Sequence, residues 1–240
     1  MNLTFRLLVL CLSITMFISC TGDGDDFSSV VTLKVVNLID GADNLIVKIG
    51  ENPIDYATTK AKVPFEGVKN FPILAGSNNN VEIVIANDTL TPVYSEFLNI
   101  RGINSLYLYG TLEDQSNLLI RDLPKQITDS LVGVRFLNLS KVSGPIDISI
   151  EGETETIISG LEYQSGSDYI EFPAKAINGS YRFKCIDTAG NITFRSTTSI
   201  ETVDPLDEDD VSVMNNITLV ITEREFASST FYNIRRVNNY

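Results

Sequence analysis

The 240-residue chain has no histidine and no tryptophan. Without histidine there is no Ser-His or Cys-His nucleophile pair, no imidazole ligand for zinc, and no side chain whose ordinary pKa suits general-base work near neutral pH. Cysteine is scarce, with residues at positions 11, 20 and 185 only. No apolar run is long enough to cross a bilayer as a helix. Leu7 to Ile18 is about a dozen residues, where roughly 20 are needed. Basic side chains are also few, 18 against 31 acidic ones. Such a surplus of negative charge repels phosphate backbones and excludes nucleic acid as a partner.

What is present begins with a leader. Arg6, the apolar run Leu7 to Ile18 and the polar stretch TGDGDD have the layout of a secretory signal. Phe17-Ile18-Ser19-Cys20 resembles the lipobox of bacterial lipoproteins, which implies cleavage after Ser19 and lipid on Cys20. The expected partner is then a membrane, reached through Cys20. One acyl chain would hold only weakly, and bacterial lipoproteins typically carry three. Residues 20–29 read as an acidic tether after the signal peptide at 1–19. Asp23, Asp25 and Asp26 resemble the surface-export signal of Bacteroidota, so the expected location is the cell envelope, as an outer-membrane lipoprotein with surface exposure. Loss of Arg6 with the leader leaves 17 basic against 31 acidic groups, a net charge of −14. Cys11 leaves too and Cys20 is lipidated, so Cys185 has no partner for an intrachain disulfide.

The chain also repeats itself. Leu33-Lys-Val-Val-Asn-Leu38 matches Val134-Arg-Phe-Leu-Asn-Leu139, keeping a cation at Lys34/Arg135 and an amide at Asn37/Asn138. Leu45 to Ile49 then falls on Ile146 to Ile150, and Asn80 to Ile85 on Ser180 to Cys185, which places Cys185 on Ile85. Ser105 to Tyr109 falls on Asn216 to Val220. The matched blocks alternate apolar with polar residues, as half-buried strands do, and β-branched or aromatic residues dominate them. Asp40-Gly41, Ala75-Gly76, Asn178-Gly179 and Ala189-Gly190 punctuate the runs at hairpin spacing. The expected fold is all-β: two tandem immunoglobulin-like β-sandwich domains at 30–125 and 130–225, then a C-terminal strand or tail at 226–240.

VRFLNLSKVSGPIDISIEG, SDYIEFPA and INGSYRFKCIDTAG together resemble the domain of unknown function numbered 4397, over most of 130–225 and more faintly over 31–125. That domain is common as tandem copies in bacterial surface and secreted proteins. The resemblance supplies no catalytic residue to transfer.

Individual candidates are sparse. Cys185 shares a strand face with Tyr181 and Phe183 and reads as a small core hydrophobe. The acidic segment 201–210 lacks EF-hand spacing and reads as a solvated loop rather than a calcium site, so neither metal nor other cofactor is expected. Tyr107 and Tyr109 alternate with Leu106 and Leu108; the two tyrosines are either a ligand-stacking face or a second packing layer. No catalytic residue is named. The function expected is that of a non-catalytic, lipid-anchored envelope protein, a structural or ligand-binding module for a glycan or protein. The alternatives are a carboxylate-dependent glycan hydrolase using Asp209 or Asp210, and an accessory subunit of a surface complex.

Overall fold

The computed structural model describes residues 30–50, 61–76, 78–127, 131–173, 180–189, 192–196, 200–201, 216–226 and 229–238. The leader, Cys20, the tether and residues 202–210 lie outside the described residues. Among those described there is no α-helix, and the chain is all-β as its alternating pattern implies.

Residues 30–122 contribute β1 (Val30–Asp40), β2 (Asn44–Ile49), β3 (Lys62–Pro64), β4 (Val68–Leu74), β5 (Asn79–Ile85), β6 (Asp88–Leu98), β7 (Ile103–Thr111) and β8 (Gln115–Asp122). They form two four-stranded sheets, ordered β4-β1-β7-β8 and β3-β2-β5-β6. Residues 131–238 contribute β9 (Leu131–Asn138), β10 (Ile146–Ile150), β11 (Thr156–Leu161), β12 (Ser165–Gly166), β13 (Ile170–Pro173), β14 (Ser180–Tyr181), β15 (Phe183–Asp187), β16 (Thr193–Ser196), β17 (Ile200–Glu201), β18 (Asn216–Phe226) and β19 (Ser229–Asn238). Here β12 and β13 both flank β9, which pairs with β18, and β18 pairs in turn with β19. The run β11-β10-β15-β16 makes the other layer, a parallel bridge from β16 to β19 links the two, and β14 pairs with β17.

In each half a parallel pair forms the spine of one sheet: β1 with β7, and β9 with β18. The sequence explains why these strands lie inside. Leu33 through Ile39 are all buried, and a strand apolar on both faces needs cover on both. One face of β1 and β7 (Leu33, Val35, Leu106, Leu108) packs on β2 and β5 (Leu45, Val47, Ile83) to make the first core. In the second core, Val134, Phe136, Leu219 and Ile221 pack on Ile146, Ile148, Phe183 and Cys185. The opposite faces meet each other. Val36, Leu38, Tyr107 and Tyr109 pack with Leu137, Leu139, Val220 and Val237 in a third cluster, a seam between the halves. The chain from Val31 to Tyr240 is accordingly one compact unit.

Two alignments read from the repeat shift by two residues. Lys34 lies opposite Ser105 and Arg135 opposite Thr218, so Ser105 corresponds to Thr218 rather than Asn216. Val47 pairs with Ile83 and Ile148 with Cys185, so Cys185 takes the place of Ile83 rather than Ile85. A two-residue slip keeps every side chain on its face, and period-two patterning cannot detect it. The repeated asparagines do have matching jobs. Asn37 Oδ1 accepts from the Ile39 amide at 3.2 Å while Nδ2 donates to the Val63 carbonyl at 3.3 Å. Asn138 Oδ1 likewise accepts from Ser140 at 3.0 Å while Nδ2 donates to Leu161 at 3.0 Å. Each closes an Asx turn, Asn37 near the end of β1 and Asn138 at the end of β9, and ties its strand to the facing sheet.

Candidate functional site

Lys34 and Arg135, the cations kept by the repeat, occupy the seam face of β1 and β9 and are 1% and 4% exposed. A charge is placed there only with partners, because an unpaired one pays a large desolvation cost. Asp122, at the end of β8, supplies the counter-charge. Arg135 Nη2 donates to Asp122 Oδ1 at 2.8 Å, to Thr218 Oγ1 at 3.0 Å and to the Tyr107 hydroxyl at 3.4 Å, and Nε donates to Thr218 at 3.2 Å. The other Asp122 oxygen accepts from Ser105 Oγ at 2.5 Å. Burial lowers the Lys34 pKa from 10.5 to about 8, with Asp122 opposing the shift and Arg135 adding to it. Burial also pushes Tyr107 up to about 12.

One end of this network opens to solvent. A cavity of about 580 Å³ lies between the end of β8 with the segment after it, and β9 with the turns around β12. Arg135 forms part of its wall, and its guanidinium lies 5.0 Å from the centre of the half-buried Tyr169 ring, within cation–π range. Arg121 and Lys125 also line it, and Asp168 is the one acid among the lining residues. Lys125 is held at 2.9 Å from Glu171, and the linker that carries it is clamped by Asn216, whose side chain bonds the Lys125 amide and carbonyl at 3.3 and 2.9 Å. Gln164, in a left-handed backbone conformation, donates through Nε2 to the Tyr109 hydroxyl at 2.7 Å. Ser167 is already engaged, accepting from the Phe136 amide and donating to the Asp168 carbonyl. The arrangement can bind: cations are fixed around a concave surface, and acceptors remain at Asp168 and at the Gln164 side-chain carbonyl.

The tyrosine pair is corrected as a ligand face. Tyr107 and Tyr109 are 0% and 2% exposed, because the face of β7 that carries them is covered by β9 and β18. Their hydroxyls satisfy the seam, Tyr107 with Arg135 and Tyr109 with Tyr163 at 2.9 Å. Of the two readings left open by the sequence, the second packing layer is the one found. Cys185 is fully buried in the second core, and burial raises its thiol pKa well above the ordinary value, so it is inert as a nucleophile. Asp209 and Asp210 lie outside the described residues, and among those described no group of three or more Asp, Glu or Cys is placed to hold a metal ion. Sequence reading missed the seam cluster, although it had a signal: a cation retained in both copies of a strand otherwise apolar on both faces.

No family model matches the chain, and no curated protein matches it. Among solved structures it is similar to CBMbc (family CBM26) from Eubacterium rectale Amy13K, crystallised in complex with maltoheptaose. Identity is 13% and the TM-score 0.26, over 88% of this chain and 96% of that one. A structure described as alpha-glucan binding by a streptococcal virulence factor gives 12% and 0.25, over 85% and 97%. At those scores neither likeness carries weight for ligand or mechanism.

Proposed function

We propose that the protein is a lipid-anchored, non-catalytic module of the bacterial cell envelope that binds a small polar ligand in the seam cavity. The observation that carries the binding role is the cavity itself, about 580 Å³ and walled in part by a guanidinium fixed from behind by Asp122 and Thr218. Its size falls in the range of roughly 300–1,000 Å³ usual for small-molecule sites. The anchor rests on the lipobox-like Phe17 to Cys20. A glycan or a protein segment remains the expected class of partner.

Two experiments test this. Metabolic labelling with a tagged fatty acid should mark the wild-type chain and not Cys20→Ala; equal labelling of both would sink the anchor. For the site, Gly166→Leu should fill the cavity. Gly166 lines it, its backbone is not in the left-handed region, and a Cβ there meets nothing closer than 3.6 Å. A ligand from a glycan and peptide panel should bind the wild-type chain and be lost from this variant, whereas unchanged binding would move the site elsewhere.

A further inference from the structure

The charge of the cavity narrows its ligand. Arg121, Lys125 and Arg135 line it with the acid Asp168; Glu171 pairs with Lys125 and Asp122 with Arg135, and with Lys34 behind them the cluster keeps four cations to three acids, on a chain with 31 acidic and 18 basic side chains overall. A site for a neutral ligand has no need of that local reversal, and clefts of one sign raise the local concentration of the opposite ion. Arg135 is also oriented for contact. Its hydrogen bonds leave from Nε and Nη2, to Thr218, Asp122 and Tyr107, and none uses Nη1. A guanidinium locked in this way loses little further freedom when it meets an anion.

The remaining polar groups face the opposite way chemically. The Asp168 carboxylate and the Gln164 amide oxygen accept hydrogen bonds, so they call for donors on the ligand, and Tyr169 adds an aromatic surface. Anionic groups and hydroxyl donors on one compact molecule describe an acidic sugar. Resting on the cavity proposed above as the binding site, we infer that the ligand is a carboxylate-bearing oligosaccharide, its uronate group held by Arg135 and Lys125 with Arg121 at the rim, and its hydroxyls by Asp168 and Gln164.

The test is calorimetric titration of the full chain, in non-ionic detergent, with a uronic-acid trisaccharide and with its methyl ester, the same sugar with its charges masked. The acid should bind about tenfold or more tightly than the ester, the margin expected from one charge-assisted contact. The margin should shrink at about 0.5 M salt, where screening shortens the reach of exposed charges. Lys125→Gln and Arg121→Gln, both at exposed positions, should each weaken the acid severalfold and the ester by less, narrowing the margin between them. Equal binding of acid and ester, lost in Gly166→Leu, would overturn the inference while keeping the cavity as the site. Binding of an acidic tripeptide in place of either sugar would do the same. If no probe binds, both the inference and the cavity reading fall.

Discussion

The sandwich cores and the seam are both buried but differently made. The second core is closed by aromatic edges, with Phe136 and Phe183 centroids 5.0 Å apart and Phe172 and Phe183 5.5 Å apart. The first is largely aliphatic, built from Leu, Ile and Val with Phe71 and Tyr94. Between them the seam mixes the same aliphatic side chains with Lys34, Arg135, Asp122, Ser105 and Thr218, all 5% exposed or less. Apolar cores tolerate any packing that fills the volume, whereas a buried ion cluster accepts few arrangements of its partners. Polar chemistry is thus concentrated where the halves meet, and that is also where the cavity opens.

The comparison is broken most severely at its counter-ion. Asp122→Ala removes the carboxylate that Arg135 and Lys34 share in the seam, and should cost about 3–5 kcal/mol in urea unfolding. Replacing the whole cluster, with Lys34→Met, Asp122→Leu and Arg135→Met together, should recover most of that loss, because it also removes the desolvation penalty. Wild-type stability in the single variant would mean that the three groups are not coupled.

Lys34 makes the seam pH-sensitive in a direction the cores cannot copy. Its folded pKa, about 8, lies below the ordinary 10.5, so between those values the unfolded chain binds more protons and stability rises with pH. Below about pH 8 the ammonium is charged in both states and its burial penalty is fully present. Tyr94 and Tyr107 act oppositely. Burial raises both to about 12, so above pH 10 the unfolded tyrosines ionise first and stability falls. A shallow maximum near pH 9 to 10 is expected from urea titrations at stepped pH, and Lys34→Met should abolish its rising limb. A limb that survives the substitution would assign it to another group.

Glycines in β9 and in its neighbour β12 give a smaller and more local contrast. At Gly133 a Cβ would come within 2.5 Å of Ile127 Cδ1 and 2.6 Å of Asn216 Oδ1, the atoms that seat the linker. Gly133→Ala should therefore cost about 1–3 kcal/mol through overpacking. At Gly166 the nearest atom is 3.6 Å away, and Gly166→Ala should stay within about 0.5 kcal/mol of wild type in the same unfolding assay.

Much of the scaffold was legible because strands write their faces into the sequence. The all-β class, the turns at Gly41 and Gly76 and the core position of Cys185 follow from alternation and composition, while Asn178, Gly179 and Gly190 lie outside the described residues. Register did not follow, since Ser105 and Cys185 each slip by two residues without changing face. The seam was not legible either. Tyr107 and Tyr109 alternate with leucines whether the far side of β7 meets solvent or another sheet, and only the approach of β9 and β18 decides between the two. The cavity draws residues from β8, the linker, β9 and the turns around β12, groups separated by up to about 50 positions, so no local pattern could have assembled it.

The smallest expected effect isolates burial as the variable. Lys48 and Glu82 face each other across β2 and β5 and are joined by a hydrogen-bonded ion pair, as Arg135 and Asp122 are across the seam. The first pair keeps 25% and 31% of its side-chain surface exposed, the second only 5% and 0%. Water and salt screen the exposed pair, and holding two flexible side chains together offsets part of the Coulomb gain. A double-mutant cycle on Lys48→Met and Glu82→Gln should return a coupling below about 1 kcal/mol that fades with added salt. The equivalent cycle on Arg135→Met and Asp122→Leu should return a larger coupling that salt changes less, because the pair is almost wholly buried. Similar coupling energies and salt slopes in the two cycles would mean that solvent reaches Asp122 and that the seam is wet along its length.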